Sequence, residues 1–167
     1  MLVRKQQWIM RSDLVNNPDV TYIFGDNEER QGLGGQAKEM RGQPNSVGVA
    51  TKRLPSQMDD SYWTDDHAAH NLTVMYNDLY PVFEGLLQGK PVVIPSDGIG
   101  TGLSELPTRA PLTNQCAELL LTRLGTVRTV NDWNLLKLNL NRAIAKFTAE
   151  GRVKPESNYT IDDEIPF

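Results

Sequence analysis

The sequence holds a single cysteine, Cys116, so it can form neither an internal disulfide nor a cysteine-built metal site. Basic excess is missing as well: 17 lysines and arginines stand against 21 aspartates and glutamates, a formal net charge of −4. A chain with that balance has no general field to gather nucleic acid or an anionic membrane. Any anion must then be held by local geometry, by oriented backbone N–H groups more than by lysine patches. Long apolar runs are also absent. Residues 1–8 (MLVRKQQW) carry no signal-peptide stretch and no window approaches a membrane span, so the expected compartment is the cytoplasm, with no membrane partner. Neither repeats nor low-complexity tracts occur. Cys116 lies among Ala117, Leu119, Leu120 and Leu121 and reads as a small core hydrophobe.

What remains is an ordinary globular composition, 39% hydrophobic and 23% charged over 167 residues, enough for one domain. A globule of this size buries roughly 70% of the surface its unfolded chain exposes. Strand signals fall at residues 20–25 (VTYIFG), 46–51 (SVGVAT) and 91–95 (PVVIP), each β-branched or apolar and bounded by turn residues. A short helix is expected over 34–41. A longer one runs from Thr64 towards Leu87, with Leu72, Met75, Tyr76, Leu79, Phe83 and Leu86 on one face and Pro81 bending or dividing it. Another is expected over about 111–124, then an edge strand at 126–130 and a last helix over 132–149 capped by Asn131. Strands alternating with helices predict a three-layer α/β fold in a single domain over 1–150. Residues 151–167 are polar and proline-bearing, without a period, and read as a tail.

The chemistry concentrates in two loops, each leaving a predicted strand and entering a helix. The first holds Asp26, Asn27, Gly32, Gly34 and Gly35; the second holds Ser96, Gly98, Ile99, Gly100, Thr101 and Gly102. Glycine admits positive φ and lets N–H groups approach a ligand with no Cβ in the way. Successive N–H groups in such a turn make an anion nest, and in α/β sheets these loops sit at the carboxyl ends of strands, where ligands bind. The pair therefore predicts a phosphate-bearing nucleotide. Asp26 and Asn27 stand where a base or ribose hydroxyl would be bound, with turn-making as their competing role. His67 and His70, beside Asp65 and Asp66, are spaced to share a metal or, equally, to cap and solvate a helix start. No metal and no cofactor is expected.

At these residues the sequence resembles the macrodomain family, the ADP-ribose-binding fold, which implies a three-layer α/β/α mixed sheet. PVVIPSDGIGTGLSEL resembles that family's strand and diphosphate loop, RQGLGGQAKEM its distal-ribose loop, and SVGVATKR the strand of the subgroup that cleaves ADP-ribose from acidic side chains or DNA bases. The resemblance covers roughly residues 20–125. It implies that Lys52, in the Thr-Lys pair, is the catalytic nucleophile. Such an amine must be neutral to attack, so burial or a nearby cation has to lower its pKa. The subgroup also places an aspartate in the diphosphate loop. Here Ser104 stands at that position and Glu105 follows it, which leaves open a hydrolase using Lys52 with Ser104 and Glu105, or a module that binds ADP-ribose without turnover. Direct contact with nucleic acid is expected only through a modified substrate. PSDGIGT is also similar to the phosphate loop of Rossmann-like nucleoside phosphoribohydrolases, which would make Glu105 the key residue.

The sequence closes on Asp162, Asp163, Glu164, Ile165, Pro166 and Phe167. This run resembles the terminal tip of bacterial single-stranded DNA-binding proteins. The resemblance implies docking on enzymes that read such tails, with Phe167 and Pro166 as anchor and the acids steering.

Overall fold

A computed structural model gives the fold and describes residues 1–153. Four strands, β1 (Val3–Gln6), β2 (Thr21–Asp26), β3 (Ser46–Ala50) and β4 (Val92–Pro95), form one sheet in the order β1-β4-β2-β3. Every pairing among them is parallel, which corrects the expectation of a mixed sheet. The connections explain it. Each strand is followed by at least one helix before the next strand, and a helical crossover returns the chain to the same end of the sheet. The first strand and the helix after it, α1 (Arg11–Asn16), add to the elements legible in the sequence.

Both faces of the sheet are apolar, as a covered parallel sheet requires. Side chains alternate along β2: Tyr22 and Phe24 join Ile9, Leu14, Ala37, Met40 and Val93 against α1 and α2 (Ala37–Met40), whereas Ile23 joins the larger cluster on the other face. That cluster packs α3 (Ala68–Asp78), α4 (Tyr80–Leu87), α5 (Leu106–Arg109), α6 (Pro111–Leu124) and α7 (Val130–Ala149). Trp133 stacks on both Tyr76 and Phe83, with ring centroids 4.4 and 4.8 Å away. Cys116 belongs to this core, and burial pushes its thiol up to about 11, which keeps it protonated and unreactive.

Pro81 divides the long helix of the sequence reading. It falls in the first turn of α4, where a missing N–H leaves no bond unmade. Asp65 takes the role of a cap rather than a metal ligand: its carboxylate accepts from the N–H groups of Leu112 and Thr113 at 2.9 Å, at the start of α6. Residues 126–130 form no strand. Instead Thr129 caps α7, accepting from the Asp132 N–H at 3.1 Å while Asp132 accepts from the Thr129 N–H at 2.9 Å. This reciprocal box replaces both the expected edge strand and the expected Asn131 cap, because its two local bonds outweigh a weak β propensity. The folded body extends past the expected boundary at 150, since Val153 is buried in the main cluster. The tip formed by Asp162, Asp163, Glu164, Ile165, Pro166 and Phe167 lies outside the described residues. Among those described, no helix is long and apolar enough to cross a membrane.

Candidate functional site

The topology opens a crevice above the two central strands. After β2 the chain turns to α2 on one face of the sheet, and after β4 it turns to α5 and α6 on the other. The two loops part at adjacent strand ends, the place where open α/β sheets bind ligands. A chamber of about 100 Å³ is lined by Asp26, Gly32, Arg41 and Lys52, and one of about 200 Å³ by Gly35, Gly98, Gly100 and Gly102. Gly25, Gly34, Leu103 and Ser104 line both. Leu103 is the partition, so close to the first loop that a Cβ on Gly34 would stand 2.8 Å from its Cδ1. Gly25 forms the floor, where a Cβ would stand 3.3 Å from the Gly100 nitrogen.

The second loop winds through positive φ at Gly98 (79°), Gly100 (77°) and Glu105 (48°). Gly98 N–H donates to the Pro95 carbonyl at its start, and Glu105 and Leu106 N–H donate to the Gly102 and Gly100 carbonyls at its end. Between them, the N–H groups of Ile99, Gly100, Thr101, Gly102, Leu103 and Ser104 find no acceptor among the described residues. Successive backbone donors of this kind are able to hold an anion, and those of Thr101, Gly102 and Leu103 belong to exposed residues. Ser96 stands apart from the crevice: its N–H donates to the Gln6 carbonyl, and it lines a groove of about 710 Å³ with Val3, Arg4 and Leu121.

The first loop is braced by side chains, and its N–H groups at Gly32, Leu33, Gly34, Gly35 and Gln36 likewise find no acceptor among the described residues. Asn27 Nδ2 donates to the Gln31 carbonyl at 2.7 Å, and Arg41 Nε donates to the Gly32 carbonyl at 2.8 Å. The Arg41 guanidinium also grips the buried Asp26 carboxylate with both terminal nitrogens, one at 3.1 Å. Asp26 crosses β3 at Gly48, where a Cβ would stand 2.5 Å from its Oδ2. Arg41, which the sequence offers as a phosphate contact or as helical surface charge, thus clamps the loop. Asp26 and Asn27 hold the wall of the crevice in shape.

Lys52 follows β3 and is only 5% exposed. Its Nζ donates to the Leu103 carbonyl at 3.4 Å and stands 4.2 Å from the Tyr62 ring centroid, with no carboxylate at ion-pair distance among the described residues. Burial lowers its pKa, Glu105 opposes that, and Arg109 adds to it. Ser104 Oγ lies 2.7 Å from Thr51 Oγ1, and Thr51 donates onward to the Asp26 carbonyl at 3.2 Å. Since a carbonyl only accepts, satisfying both contacts makes Ser104 the donor to Thr51, with its lone pairs left for a ligand. Glu105 accepts from Arg109 Nε at 2.8 Å and does not line either chamber.

Leu103 and Arg109 escaped the sequence reading, although Leu103 lies inside the glycine motif and so carried a signal. Thr51 adjoins Lys52 in the chain, whereas Tyr62, which the sequence offers as a base-stacking ring or as a staple at the helix entry, is brought to Lys52 by the fold, as is Arg109. His67 and His70 line a separate groove, where His70 Nε2 lies 3.0 Å from Glu28 Oε2 and Trp63 Nε1 donates to Glu28 Oε1 at 2.7 Å. Among the described residues no group of three or more His, Cys, Asp or Glu side chains is placed to hold a metal ion.

Residues 4–119 match a family of unknown function, DUF7831, and the chain belongs to that family. The match ends within α6 and leaves out α7. Neither the curated proteins nor the solved structures give a match.

Proposed function

We propose that this member of the DUF7831 family binds a phosphate-bearing nucleotide of the ADP-ribose type in the crevice, with the diphosphate on loop 96–105 and the distal ribose beside Gly34, Gly35 and Lys52. One observation carries the reading: six consecutive N–H groups without an acceptor belong to the lining of the same crevice as a buried lysine amine. In a chain of net charge −4, oriented amides are the means of holding an anion without a basic surface. Helices on both faces of the sheet and the order of the motifs support a three-layer, macrodomain-like reading. Each chamber is smaller than the roughly 300 Å³ of an ordinary ligand pocket, so entry of the nucleotide requires the exposed Leu103 side chain to swing aside and join them.

Turnover is the second reading, and the lowered pKa of Lys52 favours it. A neutral amine there adds to the anomeric carbon as the bond to the carrier breaks, the carrier oxygen or nitrogen takes up the proton that the amine loses, and water then hydrolyses the lysine adduct, freeing ADP-ribose and restoring the amine. The two carboxylates that the sequence reading placed at the site are already held, Asp26 by Arg41 and Glu105 by Arg109. Binding therefore stands first. Calorimetry with ADP-ribose, NAD, AMP and a cyclic dinucleotide tests it: saturable binding of ADP-ribose is expected, and its absence overturns the proposal. If ADP-ribose is released from a modified protein or DNA, Lys52→Ala abolishes release while changing affinity by less than about tenfold, because a nucleophile acts mainly in the transition state.

A further inference from the structure

Lys52 is held against an aromatic ring rather than by a carboxylate. Tyr62, itself buried, carries the Lys52 Nζ at 4.2 Å from its centroid and the Arg109 guanidinium carbon at 3.8 Å from the same centroid. Arg109 is anchored in turn: Nε donates to Glu105 at 2.8 Å and a terminal nitrogen donates to Asp59 at 3.0 Å. Glu105 is the left-handed residue that ends the glycine loop and begins α5, and Arg109 is the last residue of that helix. The Lys52 backbone is fixed as well, its carbonyl accepting from the Glu28 N–H at 3.0 Å.

We infer that Tyr62, Arg109 and Glu105 form a positioning unit for Lys52, in which the shared ring fixes the amine in the crevice and the Arg109–Glu105 pair sets the field it experiences. The inference rests on the reading of Lys52 as a working group of the site. The signs of the two charges agree with it: Arg109 disfavours the ammonium form of Lys52 and Glu105 favours it, each within the larger effect of burial. The other charged groups around the amine are already matched. Asp26 and Arg41 share its chamber and pair with each other, Asp59 pairs with Arg109, and Glu28 is taken up by Trp63 and His70. Arg109 and Glu105 are thus the pair whose balance reaches Lys52. Because Glu105 closes the glycine loop, that balance is tied to the loop's shape.

The test is the pH dependence of Lys52 acetylation by trace acetic anhydride, read peptide by peptide by mass spectrometry on the full chain, with exposed Lys38 and Lys90 as internal references. Glu105→Gln is expected to move the Lys52 midpoint to lower pH. Arg109→Gln moves it to higher pH, both by removing a cation and by freeing Glu105, and Arg109→Lys restores the wild-type midpoint. The reference lysines stay in place, and circular dichroism shows that each variant is folded. A merely structural role would shift the two glutamine variants in the same direction or not at all, and either result overturns the inference. No nucleotide is added, so failure of the ADP-ribose reading leaves this readout intact.

Discussion

Loops 27–36 and 96–105 share a glycine-rich composition, leave neighbouring strands and line one crevice, yet they are braced in different ways. The first is held by side chains, with Arg41 reaching from the end of α2 to the Gly32 carbonyl, the Gln31 carbonyl and the buried Asp26 carboxylate, while its N–H groups from Gly32 to Gln36 stay open. The second is held by backbone bonds at its two ends, with six open N–H groups between them. Glycine serves two purposes here. At Gly48 and Gly25 it makes room for a neighbouring side chain or backbone, and in loop 96–105 it admits the positive φ of Gly98 and Gly100. Composition marks the two loops alike; the hydrogen bonds separate one clamped by an arginine from one shaped by its own backbone.

Breaking the wall gives the largest expected effect. Arg41→Ala leaves the Asp26 carboxylate, 7% exposed, without its main partner and frees the first loop. A loss of about 3 kcal/mol is expected, since removing one partner of a buried pair strands the other. Urea denaturation at neutral pH measures it, and a loss below about 1 kcal/mol would mean that the clamp is only a surface pair.

Loop 96–105 is expected to respond in the opposite sense, losing affinity and not stability. Gly100 is a poor place to probe it, because a Cβ there meets Leu106 and Thr51 at 3.0 and 3.1 Å with φ at 77°, so the fold itself would suffer. Gly102 has no atom within 4 Å of such a Cβ and lines the larger chamber. Gly102→Val is expected to weaken ADP-ribose binding tenfold or more, about 1.4 kcal/mol. Thermal unfolding should report stability within about 0.5 kcal/mol of wild type. Unchanged affinity in that folded variant removes the nucleotide from loop 96–105.

The smallest effect is expected at the partition. Gly34→Ala puts a methyl against the Leu103 Cδ1, the end of a flexible side chain that is 55% exposed. Rotation of Leu103 should absorb it, with a change in stability within about 0.5 kcal/mol. A cost above about 1 kcal/mol in the same denaturation experiment would make Leu103 a fixed wall and rule out the merging of the chambers.

Local signals were read where local chemistry decides. The three strand signals at 20–25, 46–51 and 91–95 all become strands, because apolar β-branched runs bounded by glycine or proline have few other uses. The run TVRTV looked equally strand-like and is a helix entry instead, since Thr129 and Asp132 make two short-range bonds that β propensity cannot match. Within the candidate site, Lys52, Ser104 and the glycines were legible by type and position. The roles of Arg41 and Tyr62, and the contact of Arg109 with Tyr62, were not, because each joins residues at least ten positions apart in the chain.

The sequence by itself determined the α/β class, the two glycine loops at strand ends, the core role of Cys116 and the position of Lys52. These follow from residue type, short-range spacing and the absence of other chemistry. Only the tertiary structure decided that the sheet is parallel, that Asp26 and Asn27 brace the first loop while backbone bonds shape the second, and that Lys52 is buried beside Tyr62 and Arg109. Those outcomes depend on which strands become neighbours. Once β4 is inserted beside β2, their two loops must part to opposite faces, and the crevice with its contents follows from that separation.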